Sequence, residues 1–204
     1  YGVVDPSARQ VLEVKYDSVG DFSPGGFAEI VLNGKIGFIN TSAQVVVAPK
    51  YSAVGALSES GLRWVNVGGA IDENGECRGG KFGYIDGNLK EVVAPIYTFV
   101  GEVGADGIFW VCLGGKEFVS DKTVEAQMSS FSQRETNPAK ILAKRTELEN
   151  AITGGKVDVL GRKVFGGKYG FVSVEGNNLT DVIYTKTANG MTDGYAWVSL
   201  NGKY

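Results

Sequence analysis

One spacing recurs four times in this chain without a gap, and it limits the possible folds more than any other feature. A hydrophobic residue precedes a Gly, a Tyr stands fourteen residues after that Gly, and a second Gly stands ten residues after the Tyr. Gly2, Tyr16 and Gly26 form the first set and Gly37, Tyr51 and Gly61 the second. Gly83, Tyr97 and Gly107 form the third, and Gly170, Tyr184 and Gly194 the fourth. Such self-similarity marks a repeat architecture, in which no unit buries its own apolar face and each is completed by its neighbours. The 204 residues divide into units near 1–35, 36–81, 82–116, a degenerate 117–168, and 169–204. Both ends fall at a repeat boundary, so the chain reads as a processed form or a fragment of a longer protein.

Each unit reads as three short strands. The first follows the first Gly, as in Gly37-Phe38-Ile39-Asn40 and Gly83-Tyr84-Ile85-Asp86, and closes on a residue whose side chain bonds the backbone of a turn. The second carries Val46-Val47 or Val92-Val93 and runs into the Tyr. Pro49 and Pro95 stand two residues before it, which places a strand end or sheet edge there. The third follows the second Gly. Its period of two puts Ile30, Val65, Val111 and Val198, with Leu32, Val67, Leu113 and Leu200, on one aliphatic face that is the expected core. Asn33-Gly34 and Asn201-Gly202 favour a type I′ hairpin, so successive units join as an antiparallel meander. In the second unit this hairpin lengthens by Ala70 to Gly80.

In the degenerate unit, Glu117 takes the place of the first Gly and Phe131 that of the Tyr. A helix interrupts it over 138–153: Asn137 is the N-cap, Pro138 stands at the first helical position, Ile141, Leu148 and Ile152 share a side, and Gly154-Gly155 ends it. Val157-Asp158-Val159-Leu160 then resumes the missing strand. The expectation is an all-β tandem array of antiparallel three-stranded units with one helical insertion. Closure into a propeller is the alternative, although a unit of about 35 residues is short for a blade.

The order of these motifs, aromatic-Gly-aromatic-Ile-Asp, Val-Val-x-Pro-x-Tyr, Gly-x-x-x-Val and Asn-Gly-Lys, resembles the WG-repeat (KWG) family of bacterial proteins. The resemblance covers nearly the whole chain apart from 123–155. The family's Trp is replaced by Tyr1, Ile36, Phe82 and Tyr169, which makes this a divergent member. The resemblance implies an all-β repeat module, often part of surface or multidomain bacterial proteins, with no established catalytic residues to carry over.

Composition excludes more than it indicates. The chain has no His, which removes Ser-His-Asp and Cys-His machinery and every imidazole metal site. A net charge of -3 offers no basic surface for nucleic acid, and no apolar run is long enough to span a membrane. Cys77 and Cys112 are too few for a disulfide framework. The near P-loop Gly75–Lys81 has Phe82 where Ser or Thr must hold magnesium, and its Gly-Gly-Lys recurs as a hairpin turn at Gly114-Gly115-Lys116 and Gly166-Gly167-Lys168. Asp72, Asn74 and Glu76 are spaced like the start of a calcium loop. Cys77 stands where that loop needs Gly, so an acidic hairpin tip is the reading.

All three tryptophans, Trp64, Trp110 and Trp197, fall three residues after the second Gly, where the first unit has Glu29. That position lies on the face opposite the aliphatic core. Covering the neighbouring unit is the favoured role, and stacking on sugar rings is the alternative, with Arg63 and Asn66 as polar neighbours. The expected function is therefore a non-catalytic module without cofactor or metal. It binds a protein partner through its repeat surface and helical insert, or a glycan through the Trp ladder.

Overall fold

The computed structural model describes residues 1–118, 121–188 and 195–203. The chain divides into two compact units, Tyr1–Ile96 and Tyr97–Tyr204. The first opens with β1 (Val3–Val4) paired to β2 (Gln10–Leu12). Next come β3 (Ser18–Val19), β4 (Phe27–Leu32), β5 (Lys35–Asn40) and β6 (Val45–Tyr51), an antiparallel sheet in that order. A second sheet holds β7 (Ala53–Val54) and β8 (Leu62–Val67). The extended hairpin β9 (Ala70–Ile71) and β10 (Cys77–Arg78) separates these from β11 (Lys81–Asp86) and β12 (Glu91–Tyr97), and the sheet order is β12-β11-β8-β7.

These sheets straddle the sequence units. The Asn33-Gly34 turn, with φ of 53° and 69°, joins the last long strand of one unit to the first strand of the next. A short strand after each Tyr, β3 or β7, adds a fourth member that the three-strand reading did not contain.

In the second unit, β13 (Phe99–Val100) and β14 (Ile108–Leu113) are followed by β15 (Lys116–Phe118), α1 (Asp121–Ser132), α2 (Pro138–Gly154), β16 (Lys156–Val157) and β17 (Lys163–Phe165). β18 (Lys168–Ser173) then pairs with β14, and β19 (Lys186–Thr187) with β20 (Val198–Ser199). Val111 lies opposite Gly170, as Val65 lies opposite Gly83 and Ile30 opposite Gly37. The repeat therefore resumes in its own register after an excursion that folds as the sheet β15-β17-β16 and two helices. No helix among the described residues is long and apolar enough to cross a membrane.

The conserved spacing has a local cause at each point. The first Gly sits where the paired edge strand bulges across it: between Ile36↔Tyr51 and Phe38↔Val47, β6 carries two more residues than β5. A Cβ on Gly37 would lie 2.6 Å from the Pro49 nitrogen, and one on Gly83 would lie 2.6 Å from that of Pro95. Pro49 and Pro95 thus stand on edge strands at the crossing, where no ladder hydrogen bond is lost. The second Gly is the left-handed residue of a three-residue turn. Gly26, Gly61 and Gly107 have φ of 77°, 78° and 72°, and each donates its N–H back to Ser23, Ser58 or Gly104. Gly194 lies outside the described residues.

A second turn, led by a polar residue, closes the first strand. Asp5, Asn40 and Asp86 each accept two backbone N–H groups, from the residues two and four positions on, at 2.9–3.0 Å. Asp72 does the same for Asn74 and Glu76, which explains the acidic hairpin tip, and Asp158 for Leu160 and Arg162.

Several expectations need correction. The insertion holds two helices rather than one, and Phe131 lies on α1, not on a strand in the Tyr slot. Val157-Asp158-Val159-Leu160 is not a strand, because Asp158 turns the chain after Val157. The aliphatic face is buried at Ile30, Val65 and Val111, yet Leu113 and Leu200 are about two-fifths exposed, since these positions reach the hairpin ends. Ile152 lies among side chains the structure does not describe.

Two apolar clusters cover the faces of the first sheet. Leu12, Tyr16, Ala28, Ile30 and Ile39 fill one side, and Phe38, Tyr51, Val65, Ile85 and Leu89 the other. Each fully buried aliphatic side chain of this kind contributes roughly 1.5–3 kcal/mol, so most of the stability comes from contacts between sheets rather than within one hairpin.

Candidate functional site

The Trp position works together with a residue nine places earlier. Gly55 and Gly101 donate their N–H groups to the carbonyls of Trp64 and Trp110, and the indole rings lie flat on these glycines. A Cβ on Gly55 would come within 2.6 Å of Trp64 Cδ1, and one on Gly101 within 2.5 Å of Trp110 Cε2. Trp110 is buried against the edge of Tyr169 at 5.8 Å, and Trp64 is half-buried against Phe82 at 5.9 Å. Ala196 and Val198 pack on the Trp110 cluster, so the aliphatic face of one repeat covers the aromatic face of another.

The first and last repeats break this pairing in opposite ways. Gly20 keeps the glycine and its N–H bond to Glu29, yet Glu29 supplies no ring, and the nearest atoms to a Cβ on Gly20 are those of Glu29 at 3.6–3.9 Å. Ala188 keeps the N–H bond to Trp197 but carries a methyl where a ring would lie, and Trp197 is 55% exposed, with Tyr195 at 82%.

The space over Gly20 opens into a cleft of about 400 Å3, floored by Phe27, Phe38, Leu57 and Leu89 and rimmed by Asp21, Glu29 and Arg63. Glu29 and Phe38 are direct cross-strand partners on β4 and β5, which fixes the carboxylate beside the aromatic floor. The Arg63 guanidinium reaches over from β8, 5.7 Å above the Phe38 ring, with Nη1 3.7 Å from Glu29 Oε1. Its Nε is buried without a hydrogen-bond partner. A buried N–H left unpaired costs about 1–3 kcal/mol, a cost that the fold carries at this position. Chemically, the cleft offers a flat apolar floor, one donor and two carboxylate acceptors.

A second cluster closes the neck of each insertion. Asn66 is fully buried on β8, where its Oδ1 accepts the Gly69 N–H and its Nδ2 donates to the Gly79 carbonyl, both at 3.0 Å. Cys112 holds the equivalent position on β14, with Sγ 3.9 Å from the Gly166 carbonyl oxygen. Burial pushes the Cys112 thiol up from 9.0 to about 11, and it raises the Tyr169 phenol as well. Lys156 is 4% exposed, donates to the Ala188 carbonyl, and sits 5.5 Å from the Trp110 ring and 5.9 Å from the Tyr169 ring. Burial lowers its ammonium from 10.5 to about 8.

The five residues singled out from the sequence therefore occupy different environments. Arg63 lines the cleft, Trp64 and Trp110 cover glycines, Asn66 holds a hairpin neck, and Trp197 is 55% exposed. Phe27, Glu29, Phe38, Leu57 and Leu89 line the cleft, and none of them was among the candidate site residues read from the sequence. Glu29 carried a signal, as the one carboxylate at a position filled by Trp in the other three repeats. Among the described residues, no three His, Cys, Asp or Glu side chains converge to hold a metal ion.

Neither a curated protein nor a solved structure matches the chain. The family profile of the WG-containing repeat matches residues 1–35, 36–70, 82–116 and 169–204, more than half of the sequence. Each match begins at the residue before a first Gly, and for three of these glycines the register Ile30↔Gly37, Val65↔Gly83 and Val111↔Gly170 recurs in the sheets. On sequence and register alike, the chain belongs to the WG-repeat family.

Proposed function

We propose that this chain is a non-catalytic binding module that recognises a protein partner through its repeat surface. The cleft of the first unit is the primary contact, and the helical insert is a second one. The observation that carries this reading is the Gly20 cleft, an apolar floor of Phe27, Phe38, Leu57 and Leu89 edged by Asp21, Glu29 and Arg63. The insert supports a lesser role. Val124, Met128 and Leu148 are spent on packing α1 against α2, while Leu142 is 64% exposed. The same reading treats 117–168 as a degenerate unit of the array, supported by the Asp158 turn, which repeats that of Asp86.

The test is affinity capture by wild-type chain beside two variants, Leu57→Lys in the cleft and a deletion of 133–154 closed by a short linker. Loss of the same partner with Leu57→Lys supports the cleft, and loss with the deletion supports the insert. Retention in both, with folded variants by circular dichroism, refutes the reading. A glycan-binding alternative draws on the exposed ring of Trp197. A change in tryptophan emission on adding polysaccharide, abolished in Trp197→Ala, supports it.

A further inference from the structure

In the two middle repeats an indole lies on a glycine that has no side chain to obstruct it. A Cβ on Gly55 would come within 2.6 Å of Trp64 Cδ1, and one on Gly101 within 2.5 Å of Trp110 Cε2. Gly20 holds the same place in the first repeat, its N–H bonded to the Glu29 carbonyl as those of Gly55 and Gly101 are to the carbonyls of Trp64 and Trp110. There a Cβ would meet nothing closer than 3.6 Å, and its nearest neighbours are the backbone and Cβ of Glu29. We propose that the cleft over Gly20 takes the indole of a tryptophan from the protein partner, presented beside a basic residue, in the place on the glycine that each middle repeat fills with its own ring.

The surroundings of Gly20 suit such a ring. Glu29 lies opposite Phe38 across β4 and β5, as Trp64 lies opposite Tyr84 across β8 and β11 and Trp110 opposite Phe171 across β14 and β18. The first repeat thus keeps the glycine and the aromatic cross-strand partner, and exchanges only the residue that carries the ring. Phe27, two residues before Glu29 on β4, widens the apolar bed together with Leu57 and Leu89. The cleft volume of about 400 Å3 falls within the roughly 300–1,000 Å3 of ligand pockets, room for one aromatic side chain with its backbone. Tryptophan is also among the side chains in which interface binding energy concentrates. Charge selects what accompanies the ring. The lining carries the carboxylates of Asp21 and Glu29 against the one guanidinium of Arg63, which lies 3.7 Å from Glu29. This excess of negative charge favours a basic neighbour to the tryptophan and disfavours an acidic one.

This inference rests on the cleft being the partner contact proposed above and adds what enters it. Calorimetric titration of the full chain with the peptide acetyl-Lys-Trp-Lys-amide tests it, beside acetyl-Lys-Leu-Lys-amide and acetyl-Glu-Trp-Glu-amide. Two variants alter the place of the ring. Gly20→Ala puts a methyl where the indole would lie, in space the fold leaves open and at a φ outside the left-handed region, so it should melt with wild type. Glu29→Trp supplies the ring from within. Expected are millimolar or tighter binding of the Lys-Trp-Lys peptide, at least tenfold weaker binding of the other two, at least a tenfold weakening in Gly20→Ala, and no binding to Glu29→Trp. A wild type that ignores the Lys-Trp-Lys peptide at millimolar concentration overturns the proposal. So does equal binding of the leucine peptide, or undiminished binding to Gly20→Ala. Equal binding of the glutamate peptide overturns the basic neighbour. If the wild type takes none of the peptides while Leu57→Lys still loses the captured partner, the cleft stands as the contact and the indole is rejected as its occupant. If Leu57→Lys keeps the partner as well, the cleft itself is refuted.

Discussion

Replacing Gly83 with Ala adds one methyl at the point where β12 crosses β11. That methyl would lie 2.6 Å from the Pro95 nitrogen and 2.7 Å from the Ala94 carbonyl carbon. Both are backbone atoms in a bulge, so no side-chain rotation relieves the overlap and the edge strand itself must move. Overpacking of this kind costs about 1–3 kcal/mol, and the rigidity of the obstacle places Gly83→Ala at the upper end. Ala also loses less chain entropy than Gly on folding, which offsets the cost by about 0.4–1 kcal/mol, leaving a net loss near 2 kcal/mol.

Gly61 is the matched control. Its φ is 78° and a Cβ there meets nothing within 4 Å, so Gly61→Ala incurs only the left-handed backbone penalty of about 1–2 kcal/mol, less the same offset. At roughly 2–4 °C per kcal/mol for a chain of this length, thermal denaturation followed by circular dichroism should put Gly83→Ala about 4–8 °C below wild type and Gly61→Ala about 2 °C below. Gly83→Val and Gly37→Val should fall further. A Gly83→Ala variant that melts with wild type, or above Gly61→Ala, refutes the crossing as the reason for the first Gly.

Further expectations follow from the same structure. Asp86→Ala removes the acceptor of the Asn88 and Lys90 N–H groups and should cost about 1–2 kcal/mol by chemical denaturation, while Asp86→Asn, which keeps one acceptor oxygen, should cost clearly less. Cys112 is fully buried with its thiol raised to about 11, and Cys77 is 3% exposed, so a disulfide-exchange reagent at pH 8 should label neither in the native chain and both in guanidinium. Lys156, lowered from 10.5 to about 8, binds fewer protons folded than unfolded between those values. Wild type should therefore gain stability relative to Lys156→Met as pH rises from 8 towards 10.5, and parallel stability curves in that window would contradict the burial of a charged amine. Cys112 adjoins Lys156 and each shifts the other, so the difference between the two curves reports the lysine together with that coupling.

The spacing of Gly2, Tyr16 and Gly26 and its three copies was legible because each residue answers a demand of the backbone nearby. A positive φ at the second Gly, a crossing strand at the first, and an Asp or Asn bonding its own turn are conditions that any copy of the motif must meet, whatever surrounds it. Helix α1 was missed, although Val124, Met128 and Phe131 stand at helical spacing. The repeat register hid it by placing Phe131 in a Tyr slot. Tertiary structure alone decided the site. Glu29 and Gly20 are nine residues apart, and Arg63 comes from a different sheet, so no local pattern records that they share a cleft or that Asn66 closes a hairpin neck. The exposure of a tryptophan is likewise a tertiary outcome: Trp110 lies buried on Gly101, a residue with no Cβ to meet the ring, while Trp197, whose carbonyl bonds Ala188, is 55% exposed.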